Sequence, residues 1–345
     1  MKLEPRDVRN VLSLCLRTLP NAELRTVKLG SKESDPDATV QLQIPNGATT
    51  IFIEFKKSGQ PLPTRDAVNQ LLRYISENRN AYGVFMAPYV SPRSAEICFK
   101  EGIGYIDLAG NCRLSFDNIY IERTGRPNPR PQQRELRSLY SPKATRVLRV
   151  LLANPRKRWK LKALAKEAAV SLGQVANVKK RLLDREWIAS DGDGVFLREP
   201  EALLREWAAA YDLRKNKPEP FYSLKDIDEV EAELADRCRE LGLRYALTAF
   251  SGAARLAPAV RYRRAYAFVD EPARLADLLE LKRVDSGENV SLLTPYDDGV
   301  FYDSRIVDDV RIASPVQLYL DLSSLRGRGE EAAEALLEQE LRPKW

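Results

Sequence analysis

Two acidic side chains and one lysine carry the clearest chemical signal in this 345-residue sequence. Asp37 precedes one alternating run, Ala38-Thr39-Val40-Gln41-Leu42-Gln43-Ile44, and Glu54 and Lys56 close a second, Thr49-Thr50-Ile51-Phe52-Ile53-Glu54-Phe55-Lys56. Between them stands Pro45-Asn46-Gly47-Ala48, and Asn-Gly between alternating runs is a strong hairpin signal. A two-residue Asn46-Gly47 loop predicts Pro45 opposite Ala48, Ile44 opposite Thr49, Leu42 opposite Ile51 and Val40 opposite Ile53. The apolar residues then share one face. Asp37 falls opposite Lys56, with Glu54 as its diagonal neighbour. Two carboxylates this close repel unless a divalent cation or a lysine compensates them. Mg²⁺ prefers hard oxygen ligands and uses one or two carboxylates. Asp37 and Glu54 are the expected metal ligands. Lys56 would orient or activate a bound water and stabilise charge developing at phosphorus. The expected chemistry is phosphodiester hydrolysis without an imidazole, because the sequence contains no histidine. That absence excludes Ser-His-Asp and Cys-His catalysis and His-ligated zinc. The four cysteines, Cys15, Cys98, Cys112 and Cys238, form no CxxC pair and are expected to be reduced and mostly buried.

Pro36-Asp37 followed by Glu54-Phe55-Lys56 on an apolar strand resembles the PD-(D/E)XK nuclease superfamily. The resemblance assigns Asp37 and Glu54 to the metal carboxylates and Lys56 to the catalytic lysine. Gln70-Leu71-Leu72-Arg73-Tyr74 is similar to the Gln-x-x-x-Tyr helix motif of the RecB-like branch, and Gln70 and Tyr74, four apart, share one helix face. It implies a restriction-endonuclease-like α/β domain over residues 1–125, with a site that is either active or vestigial. The residues there read as a helix over 6–18, a strand, the hairpin, a helix over 64–78, a strand over 82–87, a helix over 92–101 and further strands. Asp107, before Gly110-Asn111, is expected in a turn, with a side chain that could still reach the same cleft.

Charge separates the rest of the chain. Residues 126–200 hold about 18 Lys/Arg against about 7 Asp/Glu, whereas the whole chain is only +6. A basic middle between near-neutral or acidic flanks points to a polyanion partner. Three prolines in five positions, Pro127, Pro129 and Pro131, mark residues 126–140 as a linker. Over 141–200 the pattern predicts three helices and a hairpin. Ser141-Pro142 opens the first helix and Asn154-Pro155 ends it; Leu161 to Ala168 forms the second; Ser171 and Gln174 make a Ser-x-x-Gln capping box that starts the third. Asp191-Gly192-Asp193-Gly194 is the hairpin tip. That order is a winged helix-turn-helix. Ser171, Gln174, Asn177, Lys179, Lys180 and Arg181 are the expected DNA contacts of the third helix, and Arg156, Lys157, Arg158 and Lys160 the expected backbone clamps.

Residues 201–220 read as a helical connector. Over residues 221–345 helices and strands alternate in an order that resembles a nucleotidyltransferase-like fold. The Gly-Ser plus paired-aspartate motif of that fold is absent, since Asp297-Asp298 are adjacent and precede a turn glycine, so a degenerate domain without transferase activity is expected. Ser314-Pro315-Val316-Gln317-Leu318-Tyr319-Leu320-Asp321-Leu322 and Gly327-Arg328-Gly329-Glu330-Glu331 resemble the C-terminal signature of AbiEi-type antitoxins of type IV toxin–antitoxin systems. The short members of that family begin with the winged helix, whereas here it is central.

The sequence thus reads as a multidomain α/β + α protein. Its expected function is that of a DNA-binding, antitoxin-like regulator of its own operon, binding double-stranded DNA, with a cognate toxin and a homodimer as further possible partners. The alternative is an Mg²⁺-dependent endonuclease targeted by the winged helix. No run of about 18 apolar residues is present, so no membrane partner is expected. The charged start, Met1 to Asn10, lacks an apolar signal core and points to the cytoplasm.

Overall fold

The structure, a computed structural model, describes residues 5–17, 22–32, 34–45, 47–78, 80–128 and 139–345. Asn46 and most of the proline-rich linker, residues 129–138, lie outside the described residues. The chain divides into two compact units, Met1–Gln133 with Leu183–Glu186, and Arg134–Leu182 with Trp187–Trp345.

The first unit is a mixed seven-stranded sheet with helices on both faces. Its elements are α1 (Pro5–Leu16), β1 (Glu23–Leu29), β2 (Ala38–Ile44), β3 (Gly47–Phe55), α2 (Pro61–Ser76), β4 (Ala81–Ala87), α3 (Pro92–Lys100), β5 (Gly104–Asp107), β6 (Cys112–Phe116) and β7 (Ile119–Arg123). The strands lie in sequence order. β3, β4 and β5 are parallel, joined by the crossover helices α2 and α3, and the outer strands are antiparallel. Side chains alternate across a strand, so Val84 and Met86 of β4 join α1 residues Val8 and Leu12 in one core, while Phe85 and Ala87 join Ala67, Val68 and Leu71 of α2 in another. β3 carries Ile51 and Ile53 into the first core and Phe52 into the second. Both faces of the strand that bears Glu54 are therefore covered.

Two expectations here need correction. Ile44 pairs with Gly47, Leu42 with Thr49 and Val40 with Ile51, a shift of two residues from the expected register. Proline has a fixed φ and no N–H for the ladder, so Pro45 serves the turn rather than the strand. A shift of two preserves the faces, and Ala38, Val40, Leu42 and Ile44 are all buried. It moves Asp37 from opposite Lys56 to the end of the ladder beside Glu54. Helix α2 also starts at Pro61, three residues before the expected Thr64. Its prolines sit in the first turn, where the amide hydrogens have no helical acceptor.

The second unit begins with α4 (Pro142–Ala153), α5 (Leu161–Glu167), α6 (Leu172–Asp184) and the hairpin β8 (Ile188–Asp191) and β9 (Gly194–Leu197). There follow α7 (Pro200–Ala210), β10 (Pro218–Tyr222), α8 (Ile227–Leu241), β11 (Tyr245–Leu247), α9 (Ala249–Ala253), β12 (Ala265–Val269), α10 (Pro272–Leu278), β13 (Lys282–Arg283), β14 (Val290–Leu293), β15 (Arg305–Val307), β16 (Val310–Ile312), α11 (Pro315–Ser323) and α12 (Arg328–Leu336). A second seven-stranded sheet runs β13-β10-β14-β12-β11-β16-β15. The border expected at 220/221 falls inside β10. Pro218 and Pro220 made this stretch read as a connector, but β10 has only the two-residue β13 outside it, and proline is tolerated near a sheet edge. Strand β11 stops at Leu247, because Ala249 takes a left-handed φ of 47° and opens α9.

In α11 every residue from Pro315 to Leu322 is buried, and Ser314 caps the helix by accepting from the Gln317 amide at 3.3 Å. This is the stretch singled out for its resemblance to the antitoxin signature, and it forms the centre of the unit. The three-helix segment is tied to it. Arg146 of α4 makes a bidentate pair with Asp297, Nε to Oδ1 and Nη2 to Oδ2 both at 2.9 Å, Arg149 donates to Gln317, and Tyr302 bonds Glu167 at 2.9 Å. Among the described residues no helix is long and apolar enough to cross a membrane.

Candidate functional site

The first cluster lies where β3 ends. The Phe55 amide donates to Asp37 Oδ2 at 2.8 Å, which fixes that carboxylate at the ladder's end. The Lys56 amide donates to Met86 O at 3.0 Å, extending the parallel pairing by one residue. Lys56 Nζ lies 3.1 Å from Glu54 Oε2 and donates to Gln70 Oε1 at 2.8 Å. Glu54 is only 3% exposed. Burial raises its pKa, and the Asp37 charge raises it further, while Lys56 opposes both. Gln70 reaches the cluster from α2. Tyr74, one turn on, packs edge-on to Phe52 with ring centroids 5.9 Å apart, and burial together with the Glu54 charge raises its phenol pKa. All five expected residues of this site are thus gathered within one neighbourhood. Asp107 is not part of it. Its carboxylate accepts from the Asn111 amide and side chain at 2.8 and 2.9 Å and holds the turn.

The donor set at this cluster is oxygen only. Among the described residues no group of three or more acidic, cysteine or histidine side chains is placed to hold a metal. Two carboxylates, one of them buried and pushed towards protonation, fit a hard cation that keeps several waters. The four cysteines are all free and buried.

The second cluster is built on α6. Ser171 Oγ accepts from the Gln174 amide at 3.2 Å, closing the cap that starts the helix. Before it, Ala169 takes a left-handed φ of 50°, and the Val170 amide reaches back to Ala165 O at 3.0 Å, which ends α5 and turns the chain sharply. Val175, Val178 and Leu182 are buried, so the opposite stripe faces out. That stripe comprises Leu172, Gly173, Ala176, Asn177 and Lys180; Leu172 is 46% exposed. Gln174, Lys179 and Arg181, expected on the outer face, are half-buried on its flanks. The helical repeat of 100° per residue explains the difference: 173, 177 and 180 align, whereas 174 and 181 sit to one side.

The hairpin β8–β9 stands beside this helix. Trp159 and Val195 exchange backbone hydrogen bonds at 2.8 and 2.9 Å, adding a third short strand position. The four expected clamps, in the segment leading into α5, all remain exposed. Lys160 Nζ donates to Gly192 O at 2.6 Å, Arg158 pairs with Asp191 at 3.0 Å and lies over Phe196, and Lys157 lies over the Trp159 ring. Arg156 instead donates to Trp345 O at 3.2 and 3.3 Å. Three of the four therefore brace the hairpin. Sequence reasoning missed Lys143 and Lys166, both exposed, which line a cavity of 510 Å³ with Ser171 and Gln174 at the start of α6. Each belongs to a different helix from α6, and only the fold brings them to its N-terminus. Asp297, part of the adjacent aspartate pair, caps a short helical turn and holds Arg146.

Residues 197–342 match the AbiEi_2 family, described as transcriptional regulator, AbiEi antitoxin, type IV TA system. The match covers α7 to α12 and the second sheet and leaves out α4 to α6. No curated protein matches the chain. Among solved structures, EndoMS in apo form is similar at a TM-score of 0.24 and 13% identity, covering 31% of this chain and 47% of that one. A repair endonuclease from Pyrococcus abyssi is similar at a TM-score of 0.23 and 14% identity, covering 31% and 48%. The chain spans about half the length of these structures.

Proposed function

We propose that this chain is a DNA-binding transcriptional regulator of the antitoxin kind, which reads duplex DNA through a winged helix and represses its own operon. The observation that carries this reading is the outward stripe of α6, with Asn177 and Lys180 exposed and small residues Gly173 and Ala176 between them. Small residues let the helix backbone approach the floor of the major groove. Asn177 has the geometry to bond an adenine edge in two places, and Leu172 offers an apolar contact for a thymine methyl. Lys180, with Lys143 and Lys166 beside the helix start, supplies phosphate contacts; Gln174, Lys179 and Arg181 flank the stripe. Lys157, Arg158 and Lys160, in the segment paired with the hairpin, contact the adjoining DNA backbone. The family matched over residues 197–342 supports the regulatory role and a cognate toxin protein as partner.

The test uses duplex DNA from the chain's own promoter and an unrelated duplex. Asn177→Ala is expected to lower affinity for the promoter about tenfold while leaving the unrelated duplex unchanged, since one good bidentate pair discriminates by about 1–3 kcal/mol. Lys180→Ala is expected to weaken both duplexes and to flatten the slope of log K against log salt by about 0.9. Equal binding of the two duplexes by wild type, or a salt-independent affinity, refutes the reading.

The second reading, an Mg²⁺-dependent endonuclease, is favoured by one observation: buried Glu54 shares its surroundings with Asp37, Lys56 and Gln70. Asp37 and Glu54 would hold the ion, which when bound supplies Lewis-acid stabilisation of a phosphoryl oxygen. Gln70 steadies the Lys56 ammonium, and Lys56 orients the attacking water and offsets charge at phosphorus. Plasmid cleavage in Mg²⁺ or Mn²⁺ is expected to fall by about 10²-fold in Lys56→Ala. Equal cleavage by wild type and variant, or none by wild type with either metal, rejects it.

A further inference from the structure

One cavity of the second unit has no part in either reading. It measures 1420 Å³, and four exposed arginines line it, Arg261 and Arg263 from the loop before β12, Arg326 from the turn before α12 and Arg328 from the first position of that helix. None of the four lies within 4.0 Å of a carboxylate among the described residues, and Arg328 donates only to the Arg261 carbonyl at 3.5 Å. A fifth, Arg264, is neutralised by Glu288 at 2.8 Å. Uncompensated cations that share one concavity repel one another, and the field they set up attracts anions. The planar guanidinium fork matches phosphate oxygens in pairs.

Aromatic faces are interleaved with these charges. Half-buried Tyr262 and Phe250 line the same cavity, together with the almost fully buried Tyr266. Tyr262 is held in place, its hydroxyl donating at 3.1 Å to Glu231, which is fully buried and paired with Arg255 at 2.7 Å. Phe250 and Tyr266 stand with centroids 6.3 Å apart. Asp226 and Asp228, at the start of α8, form the acidic part of the lining. They would repel phosphate there and can accept from the exocyclic amino groups of bases.

The cavity exceeds the roughly 300–1,000 Å³ of small-molecule sites. Its arginines come from two separate segments rather than one cradle, which suits successive phosphates better than a single one. We infer that this cleft binds a single-stranded nucleic acid, phosphates on the arginine side and bases against Tyr262 and Phe250. Arginine-lined grooves with stacking rings are the general solution to that problem. The inference is independent of α6 and of the carboxylate cluster.

The test compares the full chain with an Arg261→Gln/Arg263→Gln/Arg326→Gln variant of matched melting temperature. Probes are fluorescein-labelled 15-nucleotide oligo(dT) and oligo(U), a 15-base-pair duplex, and ATP as competitor. Wild type is expected to bind at least one single strand. The variant should bind it about 30-fold more weakly, with a salt slope flatter by about 2, since each lost single-strand phosphate contact removes about 0.7. A preference for oligo(U) identifies RNA as the source and a preference for oligo(dT) identifies DNA; both support the inference. Unchanged oligomer affinity in the variant overturns it. So does an arginine-dependent ATP affinity equal to that for the oligomers, which would make the cleft a small-nucleotide site. So does full competition by the duplex. Asn177→Ala should leave oligomer binding intact, so failure of promoter recognition and failure of this inference are separable.

Discussion

Between about pH 4 and pH 7 the stability difference between wild type and Asp321→Asn is expected to shift by about 2 kcal/mol, with wild type relatively more stable in acid. Asp321 is fully buried in α11. It accepts from Thr248, from the Tyr211 hydroxyl at 2.6 Å and from Gln317 Nε2 at 2.8 Å, and Gln317 in turn accepts from the buried Arg149. These bonds and the Arg149 charge favour the carboxylate, but burial outweighs them and pushes the pKa up to about 6. A carboxyl whose pKa is raised by folding binds its proton more tightly in the native state. Its contribution to stability is therefore full below the unfolded pKa and is lost as pH rises through about 6. Glu201 behaves in the opposite sense: its bonds to Arg342 and Arg205 lower its pKa to about 2. Bulk acid unfolding mixes the two, which is why the difference from the isosteric variant is the quantity to measure. Urea unfolding of both proteins across that pH range gives it, and parallel stability curves for the two would refute the assignment.

The same residue shows what pattern reading can and cannot reach. Ser314-Pro315 announces a capped helix, and the run to Leu322 is visibly apolar. Nothing in the spacing says that Asp321 will be enclosed, because its partners Tyr211 and Thr248 are 110 and 73 positions away. Local signals served where local physics decides. The pairing of β2 with β3, the alternation of β2 and the cap at Ser171 all appear in the structure. The register differs by two residues because proline, with no N–H for the ladder, takes the turn in place of glycine. Two prolines hide β10 in the sequence pattern, because a strand beside an edge tolerates residues that otherwise mark a connector. The carboxylate cluster was legible as a set, since a slip of two keeps Asp37, Glu54 and Lys56 on one side. The contact between Lys56 and Gln70, 14 positions apart, depends on how the crossover helix α2 lies on the sheet. On α6 the buried positions were readable from periodicity. The division of the polar ones into outward and flanking depended on where the stripe points once α4 and α5 are packed.

Gly194→Ala is expected to destabilise the chain by about 2–4 kcal/mol, whereas Gly192→Ala, two residues away in the same hairpin tip, should stay within about 0.5 kcal/mol. A Cβ on Gly194 would lie 2.6 Å from the Trp159 carbonyl oxygen and 2.7 Å from its carbon, and both are backbone atoms that no rotamer change can move. The residue also holds φ at 141°, a conformation that favours glycine. Around Gly192 nothing lies within 4 Å of such a Cβ. The clash falls on the paired hydrogen bonds between Trp159 and Val195, which attach the hairpin to the chain ahead of α5. Relieving it means separating the hairpin from that segment, and the separation removes the base on which Lys157, Arg158 and Lys160 are assembled. Promoter affinity should then fall along with stability in Gly194→Ala and hold in Gly192→Ala. Thermal unfolding and a promoter titration on both variants read the two effects. If the two proteins melt alike, the Trp159 contact does not anchor the hairpin. If Gly194→Ala is destabilised yet binds promoter DNA as wild type does, the hairpin and its basic base contribute nothing to DNA recognition, and α6 must act alone.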